Sequence, residues 1–321
     1  MGLSASHLSV GTVLAGRFRV LRLIGRGSMG WVYEAEDTST LARVALKTMR
    51  REFVVDERAR ERFAREAIAN TMIQHPNVAA AIAVGVLDDE LSTPYLAQEL
   101  CSGVCLDAYL AAHPAISIDD RWAIVAQLFQ ALDAAHAQGI VHRDLTPGNV
   151  MVEAGSPPRI KVLDFGLAKI LGATPLEGTA PGLGTPLWTA PEQGQASGLT
   201  PAADVWALGL LAFFALTGRI YWLNAGDGGS VFDLLVELKR GPSEPASARL
   251  ARLGGRADAL TSAFDAWFAR ATAIAPAARF RDADEAWRSL DAARRRRPRW
   301  WIAPAVLFTF VVVALAWRLL R

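Results

Sequence analysis

Two loop motifs contain the residues of this sequence best suited to catalysis. The run His142 to Asn149 includes Asp144, and Asp164-Phe165-Gly166 follows the apolar run Ile160 to Leu163. Two carboxylates and an amide on loops at strand ends suit a proton acceptor beside a divalent-metal site, and oxygen ligands of this kind favour Mg²⁺. Either aspartate alone could instead be a turn-capping residue.

A glycine-rich run lies earlier in the chain, at Gly25-Arg26-Gly27-Ser28-Met29-Gly30-Trp31-Val32. Glycines let the backbone bend sharply and bring N–H groups against phosphate oxygens without a side chain in the way. The same spacing marks dinucleotide-binding folds, but those require a helix directly after the glycines, and a β-type run follows here. Taken alone, the run favours a plain glycine-rich hairpin turn, with a phosphate-binding hairpin as the alternative.

A lysine at a strand end is the third candidate. Lys47 closes the apolar run Val44-Ala45-Leu46, and Glu66 follows nineteen residues later inside a predicted helix. A lysine that faces phosphates needs an anion to hold it in place, and Glu66 can supply one. Arg62 lies one helical turn before Glu66, so a surface pair between those two is the alternative.

These candidates fall on a β-rich first part of the chain and a helical second part. Short β-type runs separated by turns predict antiparallel strands at Phe18–Ile24, Trp31–Glu36, Val44–Met49 and Tyr95–Leu100, with a charged helix at Glu57–Ile73. Helical spacing follows at Asp107–Ala112, Asp119–Gln138, Ala203–Thr217, Val231–Lys239, Arg256–Ala273 and Ala283–Arg297. The sequence thus predicts an α+β fold with a small β-rich lobe and a larger α-rich lobe.

The order and spacing of the motifs resemble those of the protein kinase superfamily, specifically the bacterial serine/threonine kinases of eukaryotic type. Ala190-Pro191-Glu192 and the run Asp204 to Gly209 continue the pattern, so the resemblance covers roughly residues 17 to 290. It implies the two-lobed kinase fold. The predicted segments are an extension at 1–16, the N-lobe at 17–100, the C-lobe at 101–293, a basic juxtamembrane segment at 294–299, a transmembrane helix at 300–317 and a tail at 318–321.

The resemblance also implies an activity, that of a serine/threonine protein kinase using ATP and Mg²⁺, or Mn²⁺ in its place. Asp144 is then expected to accept the proton of the substrate hydroxyl, and Asn149 and Asp164 to bind the metal. Lys47 is expected to contact the phosphates and to be positioned by Glu66. The implied nucleotide-binding set, with Gln98 as gatekeeper, is Ile24, Gly25, Gly27, Gly30, Val32, Lys47, Glu99 and Cys101.

Further implied roles concern regulation and support. Arg143 is expected to pair with a phosphate on the activation loop, where Thr174 and Thr179 are the predicted regulatory hydroxyls. Two supporting contacts are also implied, in which Glu192 pairs with Arg279 in the C-lobe and Asp204 braces the catalytic loop.

One position departs from the family pattern. Serine/threonine kinases usually carry a lysine two residues after the catalytic aspartate, whereas this chain has Thr146. Loss of that cation removes a stabilising charge from the transferring phosphate, so a nucleotide-binding pseudokinase scaffold is the alternative function. Gly184-Thr185-Pro186 matches the serine/threonine type of acceptor loop, and protein serine or threonine is the expected substrate.

The C-terminal segment predicts a membrane anchor. Trp300 to Trp317 is eighteen residues without a charge, and a helix of that length spans roughly 27 Å, close to a hydrocarbon core of about 30 Å. A dense arginine block at 294–299 precedes it and favours retention of the kinase domain in the cytoplasm. Only residues 318–321 are then expected outside, and lateral association in the membrane makes a homodimer a candidate assembly.

The charge balance of the sequence argues against a nucleic-acid-binding function. The net charge is +2, and the seven arginines after Ala293 more than account for it, so the catalytic part is mildly acidic and no nucleic-acid partner is expected.

Cys101 and Cys105 form only a weak metal signal and suit a reducing cytosol. The N-terminus lacks the pattern of a cleaved signal peptide. The remaining histidines, His7, His75, His113 and His136, are interpreted as residues without chemistry.

Overall fold

The computed structural model describes residues 8–27, 30–89, 91–165, 186–194, 199–226, 228–255 and 260–295, with the side chains of Arg62 and Glu66 left out of the description. Within these residues the chain forms a β-rich N-lobe and a helical C-lobe. Each lobe has its own buried hydrophobic cluster. The two-lobed α+β prediction is therefore confirmed.

The N-lobe is built on one six-stranded antiparallel sheet. Its strands are β1 (Val13–Leu14), β2 (Phe18–Arg26), β3 (Gly30–Asp37), β4 (Arg43–Met49), β5 (Ala81–Val86) and β6 (Pro94–Glu99), in the spatial order β1-β2-β3-β4-β6-β5. Alternate residues of the strands face the core, where Phe18, Tyr33 and Leu46 are buried. Strand β1 belongs to the segment predicted as an extension, and its Leu14 is buried in this core.

The long N-lobe helix packs against the same sheet. After the short α1 (Arg51–Val54), α2 (Glu57–Met72) begins at Asp56, whose side chain accepts hydrogen bonds from the first-turn amides. Ala59, Phe63 and Ala67 recur every four residues and form the buried face of α2. This packing carries Glu66 on the helix beside the sheet that contains Lys47.

The C-lobe is helical around a three-stranded antiparallel sheet. Its helices are α3 (Leu106–Ala112), α4 (Ile118–His136), α5 (Ala202–Thr217), α6 (Val231–Arg240), α7 (Ala246–Arg252), α8 (Ser262–Ala271) and α9 (Ala283–Arg295). The strands are β7 (Val104–Cys105), β8 (Val150–Glu153) and β9 (Arg159–Val162), in that spatial order. The hairpin of β8 and β9 lies between the two predicted catalytic loops.

Helix α5 is the centre of the C-lobe. From Ala202 to Leu216 every residue is buried, including the single carboxylate Asp204. A helix that is apolar on all sides requires partners on all sides, and it packs against α4, α8 and α9. It ends at Gly218, which adopts the left-handed conformation with φ of 70°.

The structure differs from the predicted elements mainly in short pieces. The strands β1, β5, β7 and β8 and the helices α1 and α7 are additional, while β9 overlaps the apolar run Ile160 to Leu163 that precedes Asp164. Helix α8 begins at Ser262, because Thr261 caps it through a hydrogen bond from the Phe264 amide, and not at Arg256. Within the described part of the chain, no helix is long and apolar enough to span a membrane. The predicted span 300–317 lies outside the described residues.

Candidate active site

The loop that carries Asp144 is held in place by hydrogen bonds to Asp204 of the buried helix α5. Both carboxylate oxygens of Asp204 are used, since Oδ2 accepts the His142 amide at 2.7 Å and Oδ1 accepts the Arg143 amide at 2.9 Å. Arg143 has φ of 69°, a left-handed conformation that non-glycine residues adopt only when the surroundings enforce it. The implied bracing of the catalytic loop by Asp204 is confirmed.

The imidazole of His142 joins the two acidic loops. Its Nδ1 accepts the Asp144 amide at 3.3 Å, so its Nε2 carries the proton that is donated to the Leu163 carbonyl at 2.8 Å. Burial lowers the pKa of His142, which keeps the ring neutral at physiological pH. The ring also packs against Phe165, with centroids 4.7 Å apart.

The predicted metal ligands lie on either side of this junction. Pro147 starts a short 3-10 helix that ends at Asn149. The missing N–H of proline is no loss at the first helical position, because an amide there has no partner within the helix. Asn149 Nδ2 donates to the Asp144 carbonyl at 2.7 Å, and the Leu163 amide donates to the Asn149 carbonyl at 2.9 Å. Asp164 follows directly, also in a left-handed conformation with φ of 59°. Tertiary structure thus brings Asp144, Asn149 and Asp164 together.

Lys47 reaches the same site from the N-lobe. Its ammonium forms an ion pair with Asp164 Oδ1. Burial lowers the pKa of Lys47 to about 7, so nearby anions decide its charge at neutral pH, and the Asp164 carboxylate favours the ammonium. Glu66, the predicted partner of Lys47, has a side chain that lies outside the described residues, and that pair stays a prediction.

The donor atoms fit a divalent cation. Asp164 Oδ1 is buried and, apart from the Lys47 ammonium, has no hydrogen-bonding partner among the described residues. Because Asn149 donates through Nδ2, its Oδ1 is left to coordinate a cation. No group of three or more His, Cys, Asp or Glu side chains in the described ranges could hold a metal by itself. An ion here therefore needs further oxygens, as Mg²⁺ takes from nucleotide phosphates.

The glycine-rich hairpin lies between β2 and β3. At Gly30 a Cβ atom would lie 2.5 Å from the Thr48 carbonyl oxygen, so only glycine fits there. The Gly27 amide donates to the Gly30 carbonyl at 2.9 Å, and Arg50 donates to the Gly27 carbonyl at 2.7 Å. The Arg50 bond therefore connects the hairpin to the residue that directly follows β4. Ser28 and Met29 at its tip lie outside the described residues.

The residues predicted to contact adenine lie on strands β2 and β3 and at the end of β6. Ile24 and Val32 lie on the paired strands β2 and β3, and Gly25 pairs with Val32. Strand β6 ends at Glu99, whose amide donates to the Ala80 carbonyl at 2.8 Å. The Glu99 carbonyl accepts a long hydrogen bond from the Cys101 thiol, at 3.8 Å. Burial raises the pKa of the nearby Cys101 thiol to about 12, so that side chain stays neutral.

Comparison with known proteins gives the family. A family model described as protein kinase domain matches residues 18–247. The chain belongs to the protein kinase family. Serine/threonine-protein kinase PknA of Mycobacterium tuberculosis is 38% identical over 221 residues, which are 68% of this chain and 50% of PknA. The probable serine/threonine-protein kinase PknB of Lactococcus lactis is 37% identical over 214 residues, or 66% of this chain and 33% of PknB.

Solved structures agree with this assignment. The crystal structure of the Mycobacterium tuberculosis PknI kinase domain matches with a TM-score of 0.66 and 27% identity, covering 89% of this chain and 100% of that domain. The chain spans a third to a half of the length of the two curated relatives. The shared part is thus the kinase domain.

The kinase segment 186–194 is fixed to the C-lobe core. Arg279 has a fully buried side chain and donates to both Glu192 carboxylate oxygens, at 2.6 and 2.8 Å, which confirms the implied pair. Trp222 Nε1 donates to the Leu187 carbonyl at 2.7 Å. The predicted regulatory residues Thr174 and Thr179 lie outside the described residues.

Sequence reasoning missed two contributors to the kinase site. His136 was interpreted as having no role, yet its Nε2 contacts Asp204 Oδ2 at 2.9 Å while its Nδ1 accepts the Ala283 amide at 3.1 Å. Lys161 pairs with Glu99 at 2.8 Å and links β9 to the end of β6. His136 lies six residues before His142 and Lys161 three before Asp164, but the spacing alone does not reveal these partners.

Proposed function

We propose that this chain is a serine/threonine protein kinase that transfers the γ-phosphate of ATP to protein hydroxyls. The observation that carries the proposal is the convergence of Lys47, Asp144, Asn149 and Asp164 on one site through the contacts described above. The names of PknA and PknB, both serine/threonine-protein kinases, support the choice of acceptor.

The chain's own groups divide the work of phosphoryl transfer, which is mostly positioning and charge stabilisation. Asp144 accepts the proton of the acceptor hydroxyl, and its loop is held for this by Asp204. Lys47 orients the phosphates, whose negative charge favours the ammonium form. Asn149 and Asp164 would hold Mg²⁺ or Mn²⁺, which would neutralise charge on the phosphates.

Nucleotide recognition is assigned to the cleft between the lobes. The glycines at 25, 27 and 30 cover the phosphates with their backbone N–H groups. Glycine is required at 30 because a Cβ atom there would collide with the Thr48 carbonyl. Ile24 and Val32 pack on the adenine. The backbones of Glu99 and Cys101 provide its hydrogen bonds.

A pseudokinase scaffold is the second candidate, and Thr146 is the observation that favours it. Thr146 is half-buried, and its carbonyl accepts the Asn149 amide at 3.0 Å. A threonine cannot supply the positive charge of the lysine expected there. In this alternative the chain binds nucleotide and partners without transferring phosphate.

The proposed kinase acts at a membrane. The uncharged run 300–317 and the arginines at 294–299 support a single membrane helix with the kinase domain on the cytoplasmic side, where ATP is available. Protein substrates in membrane-linked signalling follow from this location, and two chains held in one membrane can phosphorylate each other.

The test is phosphoryl transfer by the full-length chain purified in detergent. The chain is incubated with γ-labelled ATP, Mg²⁺ or Mn²⁺ and a generic protein acceptor, beside Asp144→Asn and Lys47→Met prepared identically. Label on acceptor serine or threonine with wild type only is the expected result. Nucleotide binding without transfer supports the scaffold, and equal transfer by all three proteins refutes the catalytic assignment.

A further inference from the structure

Arg143, the residue that precedes the proposed base, is held by side chains at both its amide and its carbonyl. Arg143 occupies the left-handed region, and its amide is bound by Asp204 as described. Its carbonyl, which belongs to the peptide joining it to Asp144, accepts a hydrogen bond from Gln193 Nε2. A left-handed arginine is unfavourable in isolation, so these two bonds maintain the turn that orients Asp144.

Gln193 bonds in two directions from a buried position. It is 7% exposed, and its Oε1 accepts the Ala190 amide at 2.9 Å. Because the Ala190 amide can only donate and the Arg143 carbonyl can only accept, the orientation of the Gln193 amide is fixed. The Ala190 bond is a local cap on the short helix Pro191–Gly194 and a carboxylate would serve it equally. The Arg143 bond needs an N–H donor, which glutamate lacks when ionised.

The segment that carries Gln193 is itself rigidly placed. Its neighbour Glu192 is bound by the buried Arg279, and the Leu187 carbonyl is bound by Trp222. Gln193 therefore transmits the position of segment 186–194, fixed by the C-lobe core, to the catalytic loop. The contact spans 50 residues of sequence.

We propose that Gln193 is a positioning residue for phosphoryl transfer, which rests on the kinase function proposed above. Its N–H fixes the peptide between Arg143 and Asp144, so that the carboxylate meets the acceptor hydroxyl. Without this bond only the longer contact of the Asp144 amide with His142 Nδ1, at 3.3 Å, restrains the peptide, and the base is displaced. A misplacement of about 1 Å costs about 100-fold in rate. The loss falls on kcat, because nucleotide contacts are made by other residues.

The variant Gln193→Glu isolates the proposed bond. It keeps the size of the side chain and the cap on Ala190 but replaces the donor by an acceptor. In the full-length chain, kcat is expected to fall about 10- to 100-fold with the KM for ATP changed less than about 2-fold. Gln127→Glu is the matched control, since Gln127 Nε2 likewise donates to a backbone carbonyl, that of Pro158 at 2.9 Å, away from the catalytic loop. It is expected to retain the wild-type kcat.

The pH dependence separates positioning from packing. A glutamate facing the Arg143 carbonyl has its pKa raised by burial and by that dipole, and once protonated it becomes a donor again. The ratio of kcat for Gln193→Glu to kcat for wild type is therefore expected to rise as the pH falls from about 8 to about 6. A ratio that is flat over this range overturns the proposal.

Amide hydrogen exchange tests the proposal without activity. The amides of Arg143 and Asp144 are expected to exchange faster in Gln193→Glu than in wild type or Gln127→Glu, while the Ala190 amide stays protected. Unchanged exchange at these two amides overturns the role of Gln193. Equal kcat for an active wild type and Gln193→Glu also overturns it and leaves the kinase function standing. If the wild type transfers no phosphate, the kinase function fails and faster exchange still supports the positioning contact.

Discussion

The buried carboxylate of Asp204 provides the sharpest test of how the C-lobe supports the site. It accepts N–H groups from His142, Arg143 and His136 and is 1% exposed. Burial alone raises the pKa of Asp204, but the hydrogen bonds from His136 and the other donors outweigh burial and hold it below its usual value. The group is therefore an anion at neutral pH. Asp204→Asn keeps the shape of the side chain but replaces one carboxylate oxygen by an NH₂ group. That NH₂ group then faces an N–H donor and cannot accept its hydrogen bond.

The expected magnitude follows from counting these bonds. If the NH₂ group replaces Oδ1, the Arg143 bond is lost, and if it replaces Oδ2, the bonds of His142 and His136 are lost. A hydrogen bond to a charged group contributes about 1.5–3 kcal/mol, and a buried donor without a partner costs about as much again. We expect the free energy of unfolding to fall by about 3–6 kcal/mol and Tm by at least about 6 °C. Displacement of the catalytic loop is expected to lower kcat about 100-fold.

The assay combines a thermal melt with steady-state phosphoryl transfer on the same preparations. Asp265→Asn is the control, because Asp265 accepts the Ser247 amide at 2.8 Å and the Ser247 hydroxyl at 2.6 Å, away from the site. That variant is expected to lose stability but not kcat. If Asp204→Asn lowers Tm no more than Asp265→Asn does and keeps the wild-type kcat, the claim that Asp204 holds the catalytic loop in place is refuted.

Four further predictions address charge, regulation, anchoring of segment 186–194 and topology. Thr146→Lys is expected to raise kcat more than it changes the KM for ATP, because the added ammonium acts on charge that develops in the transition state; steady-state kinetics measure both. Mass spectrometry of the active protein is expected to find phosphate mainly on Thr179. Glu192→Gln is expected to lower the free energy of unfolding by about 3 kcal/mol in denaturant melts, because it leaves the buried Arg279 guanidinium without a counter-ion. Truncation after Ala293 is expected to give a protein that stays in the supernatant when membranes are sedimented.

Each of these has its own control and contrary result. Thr146→Met adds bulk without charge, and an equal gain from it would remove the electrostatic explanation. Phosphate on Thr179 is expected to be absent from Asp144→Asn, and an unmodified loop in active wild type contradicts the regulatory assignment. Glu61→Gln breaks an exposed pair with Arg65 and is expected to cost less than about 1 kcal/mol. A truncated chain that still sediments with membranes in high salt contradicts the proposed anchor.

The sequence by itself predicted the candidate catalytic residues. The glycine hairpin, Lys47, Asp144, Asn149 and Asp164 stand in motifs whose meaning depends on order and spacing along the chain, and those are read directly. Longer elements were predicted for a similar reason. The amphipathic pattern and the Asp56 cap fix where α2 begins, because both act within one or two helical turns.

Short elements could not be predicted in the same way. Strand β8 has four residues and strand β7 has two, so neither contains enough of a period to distinguish a strand from a loop. They form because neighbouring strands complete their hydrogen bonds. Helix α8 likewise begins later than its apolar spacing suggests, at the point where Thr261 can cap it.

Tertiary structure alone decided how the catalytic residues are held. His136 and Asp204 are separated by 68 residues, Gln193 and Arg143 by 50, and Lys161 and Glu99 by 62. None of these pairs has a local pattern, because a hydrogen bond depends on distance and direction in space. Burial of α5 removes water from Asp204, so its carboxylate oxygens must accept hydrogen bonds from the amides of a loop that is remote in sequence. That requirement, which arises only when the C-lobe core closes around α5, sets the position of Asp144.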